Sequence, residues 1–270
     1  MKKLLLILVI ISIYYNMHSQ RNCSVYKWEG DTCRYKACNY LENAPKYFQL
    51  RKEFHKVYDR ALEICPNYSD AYRAKSVAYL KTGDFISWKK LMDKAVEINP
   101  IEHLGYRGWA KFQFFRDYKG AISDFEYLDS ISDNDIGYSQ NGTYHLNIAK
   151  ALCYKMLDKK DIAISIIQKQ IENDPFSIGI YDYLHLGVLY LENNKYEEAL
   201  LTFKKQEQEY SCAENAYYSA LVYKAIKDSI NHKKSLLKSK DLYLKGRKMY
   251  DSYTHPVDKV YLKDIENLLE

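Results

Sequence analysis

Beyond the first twenty residues, apolar and aromatic positions return in steps of three and four, and short polar clusters interrupt them at near-regular intervals. Tyr183, Leu186 and Tyr190 mark one stretch, Asn193-Asn194-Lys195 breaks it, and Ala199 and Phe203 open the next. Such steps place side chains on one face of an α-helix, and an Asn-rich break between two stretches reads as a turn. The alternation also runs through Tyr72, Tyr79, the break Gly83-Asp84-Phe85, Trp88 and Ala95. It continues through Gly108, Arg116-Asp117-Tyr118, Ala121 and Phe125, with one extra residue before that turn. Ala151, Tyr154, Ala163 and Ile167 form a further unit, and Ala220, Tyr223 and His232 a degenerate last one. The pattern predicts an all-α chain of helical hairpins. Only 10 Gly and 5 Pro in 270 residues argue against a turn-rich β protein.

The hairpins are related to one another. Lys56-Val-Tyr-Asp-Arg-Ala-Leu-Glu-Ile-Cys-Pro66 returns 34 residues later as Lys90-Leu-Met-Asp-Lys-Ala-Val-Glu-Ile-Asn-Pro100, with six of the eleven positions identical. A unit of this size cannot bury its apolar face alone and must stack on neighbours. Together with Tyr183-x-x-Leu186-Gly187-x-x-Tyr190 and Ala199-x-x-x-Phe203, this period resembles the tetratricopeptide repeat (TPR) family. Gly187 and Ala199 are small where two helices would cross closely. The resemblance covers an array over residues 47–250. It implies a right-handed α-solenoid of helical hairpins whose concave groove binds a peptide segment of another protein.

In that geometry the groove face carries Arg73, Val77, Trp109, Phe112, Ile148, Leu152, Lys155, Leu184, Val188, Leu191, Tyr217 and Leu221. Trp109 and Phe112 are the expected anchors for an amphipathic helix or an extended apolar peptide. A competing expectation is that the C-terminal helix fills the groove itself. Val257, Val260, Tyr261, Ile265 and Leu268 predict that helix over Pro256–Leu269, within a capping segment at 251–270. Tyr47–Ile64 is expected as a second helix whose first helix is replaced by a Cys-bearing segment at 20–46. Residues 129–143, rich in Ser, Asp, Asn and Gly, form a loop insertion long enough to be either functional or floppy.

Lys2 and Lys3, the apolar run Leu4 to Tyr15 and the small Ser19 describe a secretory signal peptide over residues 1–19, cut before Gln20. The run is shorter than a membrane span, so an uncleaved anchor is the weaker alternative. Gln20-Arg21-Asn22 before Cys23 does not fit a lipid-attachment signal. Export makes disulfides the expected state of Cys23, Cys33, Cys38 and Cys65, in any of three connectivities. Cys33 and Cys38 have a spacing that zinc sites also use, but no clean second pair follows. Cys153 and Cys212, two repeats apart, read as buried thiols. A secreted or periplasmic location follows, with no stable membrane insertion.

The formal charge is +5, or +3 without the two leader lysines, too weak to argue nucleic-acid binding. The basic stretch Lys224 to Lys248 reads as a solvated helix face. No Gly-rich phosphate loop, Gly-x-Ser-x-Gly elbow or His-Glu-x-x-His helix occurs, so no catalytic, cofactor or metal site is assigned. His145 and His185 fall one repeat apart and read as single satisfied side chains rather than a metal pair. The 28 tyrosines invite a glycan-binding alternative, though Tyr72, Tyr79, Tyr154, Tyr183, Tyr190 and Tyr223 occupy packing positions. The expected activity is a non-enzymatic scaffold that binds an envelope protein. The alternative is a structural or glycan-contacting envelope component.

Overall fold

Helices form where the three-four spacing is sustained, and most of the repeat helices stop at a residue that leaves helical geometry. A computed structural model describes residues 22–174 and 178–270; the expected signal peptide lies outside them. The fold is all-α, and the β structure among the described residues is an isolated bridge between Tyr138 and His145. The chain divides into two compact units, one up to His103 and one from Leu104.

The first unit holds α1 (Ser24–Trp28), α2 (Thr32–Leu41), α3 (Lys52–Ile64), α4 (Ser69–Thr82) and α5 (Phe85–Ile98). Helix α2 packs on α3 and α4 on α5. Leu41, Phe54, Tyr58, Ala61, Tyr68 and Ala71 lie in one buried cluster. Asp31 caps α2 by accepting the Arg34 backbone N–H at 2.7 Å. Helix α3 starts at Lys52 rather than at the expected Tyr47. A 3-10 turn at Ala44–Lys46, with Pro45 inside it, and exposed Phe48 and Leu50 leave the preceding residues no buried face to hold a further helical turn.

Two disulfides interlock across this unit. Cys23–Cys38 ties the start of α1 to α2 with Cα atoms 5.6 Å apart, and Cys33–Cys65 ties α2 to the end of α3 at 5.3 Å. Each spans Cα distances natural to a disulfide. Their loops, of 15 and 32 residues, would each contribute about 3–4 kcal/mol in the chain-entropy account.

Helix α6 (Pro100–Ala110) crosses the division between the units and is continued by a π-helical turn, Lys111–Phe115. That turn absorbs the extra residue seen in the sequence, since a π-turn adds one residue without ending the helix. The second unit then runs α7 (Tyr118–Ile131), α8 (Leu146–Met156), α9 (Lys160–Asn173), α10 (Asp182–Glu192), α11 (Tyr196–Glu209), α12 (Ala213–Ala225), α13 (Ser229–Leu244) and α14 (Leu262–Asn267). Helices α8 and α9, α10 and α11, and α12 and α13 pack as hairpins. In α6 and α7 a β-carbon on Gly108 would lie 2.7 Å from the Phe125 ring, and one on Gly187 would overlap Phe203 between α10 and α11 in the same way. The buried Asp124 holds α7 to α6 through Arg107 at 2.7 Å and Lys111 at 2.8 Å.

One turn is used five times between first and second helices. Gly83, Arg116, Asp158, Asn194 and Lys227 each take positive φ, between 53° and 79°. Only Gly83 does so at no steric cost. The next residue begins the following helix, and at three turns it is an aspartate cap. Asp84, Asp117 and Asp228 accept N–H groups from Ser87, Gly120 and Asn231 at 2.9–3.0 Å, each cap contributing about 1 kcal/mol.

Two further expected elements differ. Helix α7 continues to Ile131, so the insertion is the loop 132–145 and not 129–143. The closing helix is only Leu262–Asn267, and residues 247–261 before it are irregular. Asp251 explains part of that: its Oδ1 accepts the N–H groups of Tyr253 and Thr254 at 2.8 and 2.7 Å, forming a turn that competes with helix. Pro256 lacks an N–H, and Asp258 takes a left-handed φ of 66°.

Cys153 and Cys212 are fully buried free thiols. Burial pushes the Cys153 thiol far up, and pushes that of Cys212 up to about 12. Thiol titration of the oxidised native protein should therefore find none reactive, and titration in denaturant without reductant should find the two. Peptide mapping should return the pairs 23–38 and 33–65; more than two thiols in denaturant would contradict them.

Candidate functional site

The first helices of the hairpins in the second unit, α6, α8, α10 and α12, carry most of the expected groove residues. Ile148, Leu152, Leu184 and Val188 are buried, as are Trp109 and Phe112. Lys155 is also buried, while Leu191, Tyr217 and Leu221 are half-buried. Arg73 and Val77 lie on α4 in the first unit and are half-buried. The expected anchors are therefore not open to a ligand. Two other segments of the same chain cover this face.

The loop 132–145 supplies the first cover. Asp135 accepts from His145 Nε2 at 2.8 Å, while His145 Nδ1 accepts the Asn147 backbone N–H at 3.1 Å at the start of α8. The two bonds require the tautomer with the proton on Nε2. The loop is thus pinned at its end, and it inserts Tyr144. The Tyr144 ring lies 5.8 Å from that of Trp109 and 5.6 Å from that of His185, centroid to centroid. Trp109 also packs on Phe112 at 5.6 Å. Burial, then the Asp258 charge, push the Tyr144 hydroxyl well above its usual range, so it stays protonated.

The second cover is the strap 247–261, which runs along the first helices in reverse order and then returns. Arg247 O accepts the Ala213 N–H of α12 at 2.8 Å, and the Met249 N–H donates to Glu214 at 3.0 Å. Thr254 then meets Gln113 in the π-turn after α6. Asp258 reaches Lys155 Nζ of α8 at 2.6 Å and His185 Nδ1 of α10 at 2.7 Å. Val260 packs with Ala220, Leu236 and Ile265, which joins the strap to α14. Met249 and Val260 are buried, whereas Tyr250 and Tyr253 are 73% and 78% exposed.

Asp258 is the centre of this arrangement. The side chains of Asp258 and Lys155 are each 6% exposed, and that of His185 is not exposed at all. With Nδ1–H donated to the carboxylate, His185 Nε2 accepts the Tyr144 hydroxyl at 3.2 Å. One carboxylate thus gathers α8, α10 and, through His185, the Trp109 cover. Burial opposes ionisation of Asp258, but the charge of Lys155 and the bond from His185 outweigh it and lower its pKa. Glu214 behaves oppositely: burial dominates and raises its pKa, although backbone N–H groups of its own residue, Met249 and Val260 partly compensate.

Chemically, the face provides main-chain contacts to an extended segment and one basic cradle for a carboxylate. Among the described residues no group of three or more His, Cys, Asp or Glu could hold a metal ion. No described helix is long and apolar enough to cross a membrane. Sequence reasoning singled out Lys155 but gave Asp258, Tyr144, Gln113 and Glu214 no role. It placed His185 one repeat from His145 without its partner. The signal that could have found them was weak: an Asp two residues after Pro256, between Val257 and Lys259.

The helical-hairpin arrangement places the fold among tetratricopeptide-type α-solenoids, and comparisons with solved structures agree. The chain is similar to PilW, a widely conserved type IV pilus biogenesis factor, with a TM-score of 0.60 and 13% identity over 86% of this chain and 98% of that one. It is also similar to PilF of Pseudomonas aeruginosa, at 0.59 and 16% identity over 77% and 92% of the two chains. YrrB, a TPR protein with an unusual peptide-binding site, gives 0.53 and 17% over 68% and 91%. No family model matches the sequence, and no curated protein sequence matches it.

The two buried carboxyls should give stability opposite dependences on pH. Asp258, with its lowered folded-state pKa, contributes stability above the unfolded value of about 4, lost as pH falls through the folded pKa. Glu214, with its raised folded-state pKa, contributes stability below about 4, lost as pH rises through its folded pKa. At pH 7 Asp258→Asn should cost about 3 kcal/mol by leaving Lys155 buried with only the partly exposed Glu192 beside it. Glu214→Gln should lie within about 1 kcal/mol of the parent at pH 7 and lose ground relative to it as pH falls towards 4. Urea unfolding of both variants at pH 7 and 5 checks this; equal losses at pH 7 would contradict it.

Proposed function

We propose that the protein is an exported, non-enzymatic scaffold that binds a peptide segment of an envelope protein on the first-helix face of its second unit. The observation that carries this reading is the strap itself: this face already holds an extended chain by main-chain hydrogen bonds, an apolar anchor and one carboxylate. A surface able to seat residues 247–261 has the chemistry to seat another protein's extended segment. Two interlocked disulfides fit an oxidising compartment, and so does the leader-like start of the sequence. The printed descriptions of PilW as a pilus biogenesis factor and of YrrB as a peptide binder are compatible with this reading. A bacterial source fits the leader and those neighbours.

The array is read as residues 47–250, with the Cys-bearing segment before it and the C-terminal segment as its cover. Of the expected groove residues, Leu191, Tyr217 and Leu221 remain partly accessible on the covered face, and Arg73 and Val77 on α4. A second reading, contact with envelope glycan, has its own support in the exposed Tyr250 and Tyr253 on the outer side of the strap.

The test is affinity capture of tagged protein, starting at Gln20, from the source organism's envelope fraction, followed by cross-linking mass spectrometry. A stoichiometric protein partner with cross-links to residues 104–261 is the expected result. Absence of any protein partner, with retention on a polysaccharide column that Tyr250→Ala/Tyr253→Ala abolishes, would replace it with the glycan reading.

A further inference from the structure

The strap has the properties of a bound ligand that happens to be covalently attached. It contacts the first-helix face at separate points, Met249, Thr254, Asp258 and Val260, and leaves Tyr250 and Tyr253 in water between them. It forms no helix of its own until Leu262. Asp258 holds a left-handed backbone that costs a non-glycine residue about 1 kcal/mol or more, and it directs its carboxylate between Lys155 and His185. The cradle is built from two helices and is supported from behind, by Tyr144 on His185 and by Glu192 at 3.1 Å from Lys155. It belongs to the helical scaffold and not to the strap.

We propose that residues 247–261 are a displaceable intramolecular occupant, and that the partner is an extended protein segment whose Asp or Glu side chain takes the place of Asp258 against Lys155 and His185. This rests on the peptide-binding reading above and adds the chemistry that selects the peptide. The carboxylate is required because a segment that covered this face without one would leave Lys155 buried with only the partly exposed Glu192 beside it. Apolar peptides are disfavoured for the same reason. The strap sets a threshold: a tethered segment competes at an effective concentration on the millimolar scale, so an outside peptide displaces it only with extra contacts or higher affinity. The exposed outer side of the strap gives an arriving chain a place to begin.

The probe is a synthetic peptide of this chain's own residues 247–261, labelled with a fluorophore, and its counterpart carrying Asp258→Asn. Full-length protein with Asp258→Asn, whose own strap is loosened, should bind the parent peptide at least 10-fold more tightly than the wild-type chain does. The peptide carrying Asp258→Asn should bind that protein at least 10-fold more weakly than the parent peptide. Because Asp258→Asn could unfold the array, a second form carries a protease site after the exposed Gly246. Cut there, it keeps every strap contact. Excess parent peptide should exchange into the cut protein, and Lys155→Met should abolish that exchange while circular dichroism stays helical. Equal binding of the two peptides, or a cut protein that never exchanges, would overturn the proposal. Capture of an envelope partner that binds wild type and the strap variant equally would overturn it too, while leaving the scaffold reading in place. Exchange with no envelope partner would remove the scaffold reading and retain only the carboxylate-selective cradle.

Discussion

A buried carboxylate must find a positive partner and hydrogen-bond donors or give up its charge, and Asp258 finds both, in the Lys155 ammonium and the His185 Nδ1–H. Its bonds to Lys155 and His185 join α8 to α10, and His185 passes the connection on to Tyr144 and so to Trp109. Without that ion pair the strap would hold the face by Val260, buried Met249 and its N–H, the Arg247 carbonyl and the Thr254 contact. With it, an irregular stretch follows a defined course across the hairpins of the second unit. The ion pair is not a general stabiliser in the sense of added apolar area, since desolvating both charges offsets much of their attraction. Its effect is to specify one course for the strap and to make one missing partner costly.

This changes what the apolar inner positions mean. Trp109 and Phe112 have the size and chemistry of interface anchors, and both are packed under Tyr144 and its neighbours. Their truncation would be felt as lost core, not only as lost binding. The residues that hold the strap are the polar ones at the ends of the first helices and in the π-turn: Lys155, His185, Gln113 and Glu214. A face of this kind separates two tasks. Apolar burial keeps the hairpins together, and a small polar set holds the strap on top of them.

The hairpins were legible in the sequence because their signals are local and repeated. A 34-residue period, small residues at crossings, and turn clusters such as Gly83-Asp84 and Asn193-Asn194 each act within a few residues. Even the surplus residue before Arg116 was visible, and it reappears as a π-turn. The pairings of the four N-terminal cysteines were not legible, since three connectivities satisfy the same spacing. Nor was the strap. The apolar spacing of Val257, Val260, Tyr261, Ile265 and Leu268 is consistent with a helix, yet the Asp251 turn, Pro256 and a left-handed Asp258 keep all but Leu262–Asn267 out of it. The Asp258 contacts span 73 and 103 residues of sequence. No local rule reaches that far, so the site's central residue was invisible where its scaffold was plain.

Native-state hydrogen exchange read by mass spectrometry tests the central claim most directly, through the peptides that cover residues 247–261. If the strap lies on the first-helix face, the Met249 and Val260 amides should be protected far beyond those of Tyr253 and other exposed loop positions. That protection should fall when Asp258 is replaced by Asn, with the helices of α8 and α10 still slow to exchange. Uniform fast exchange across the whole segment in the wild-type chain would contradict the account, because it would leave the face open and Asp258 in water.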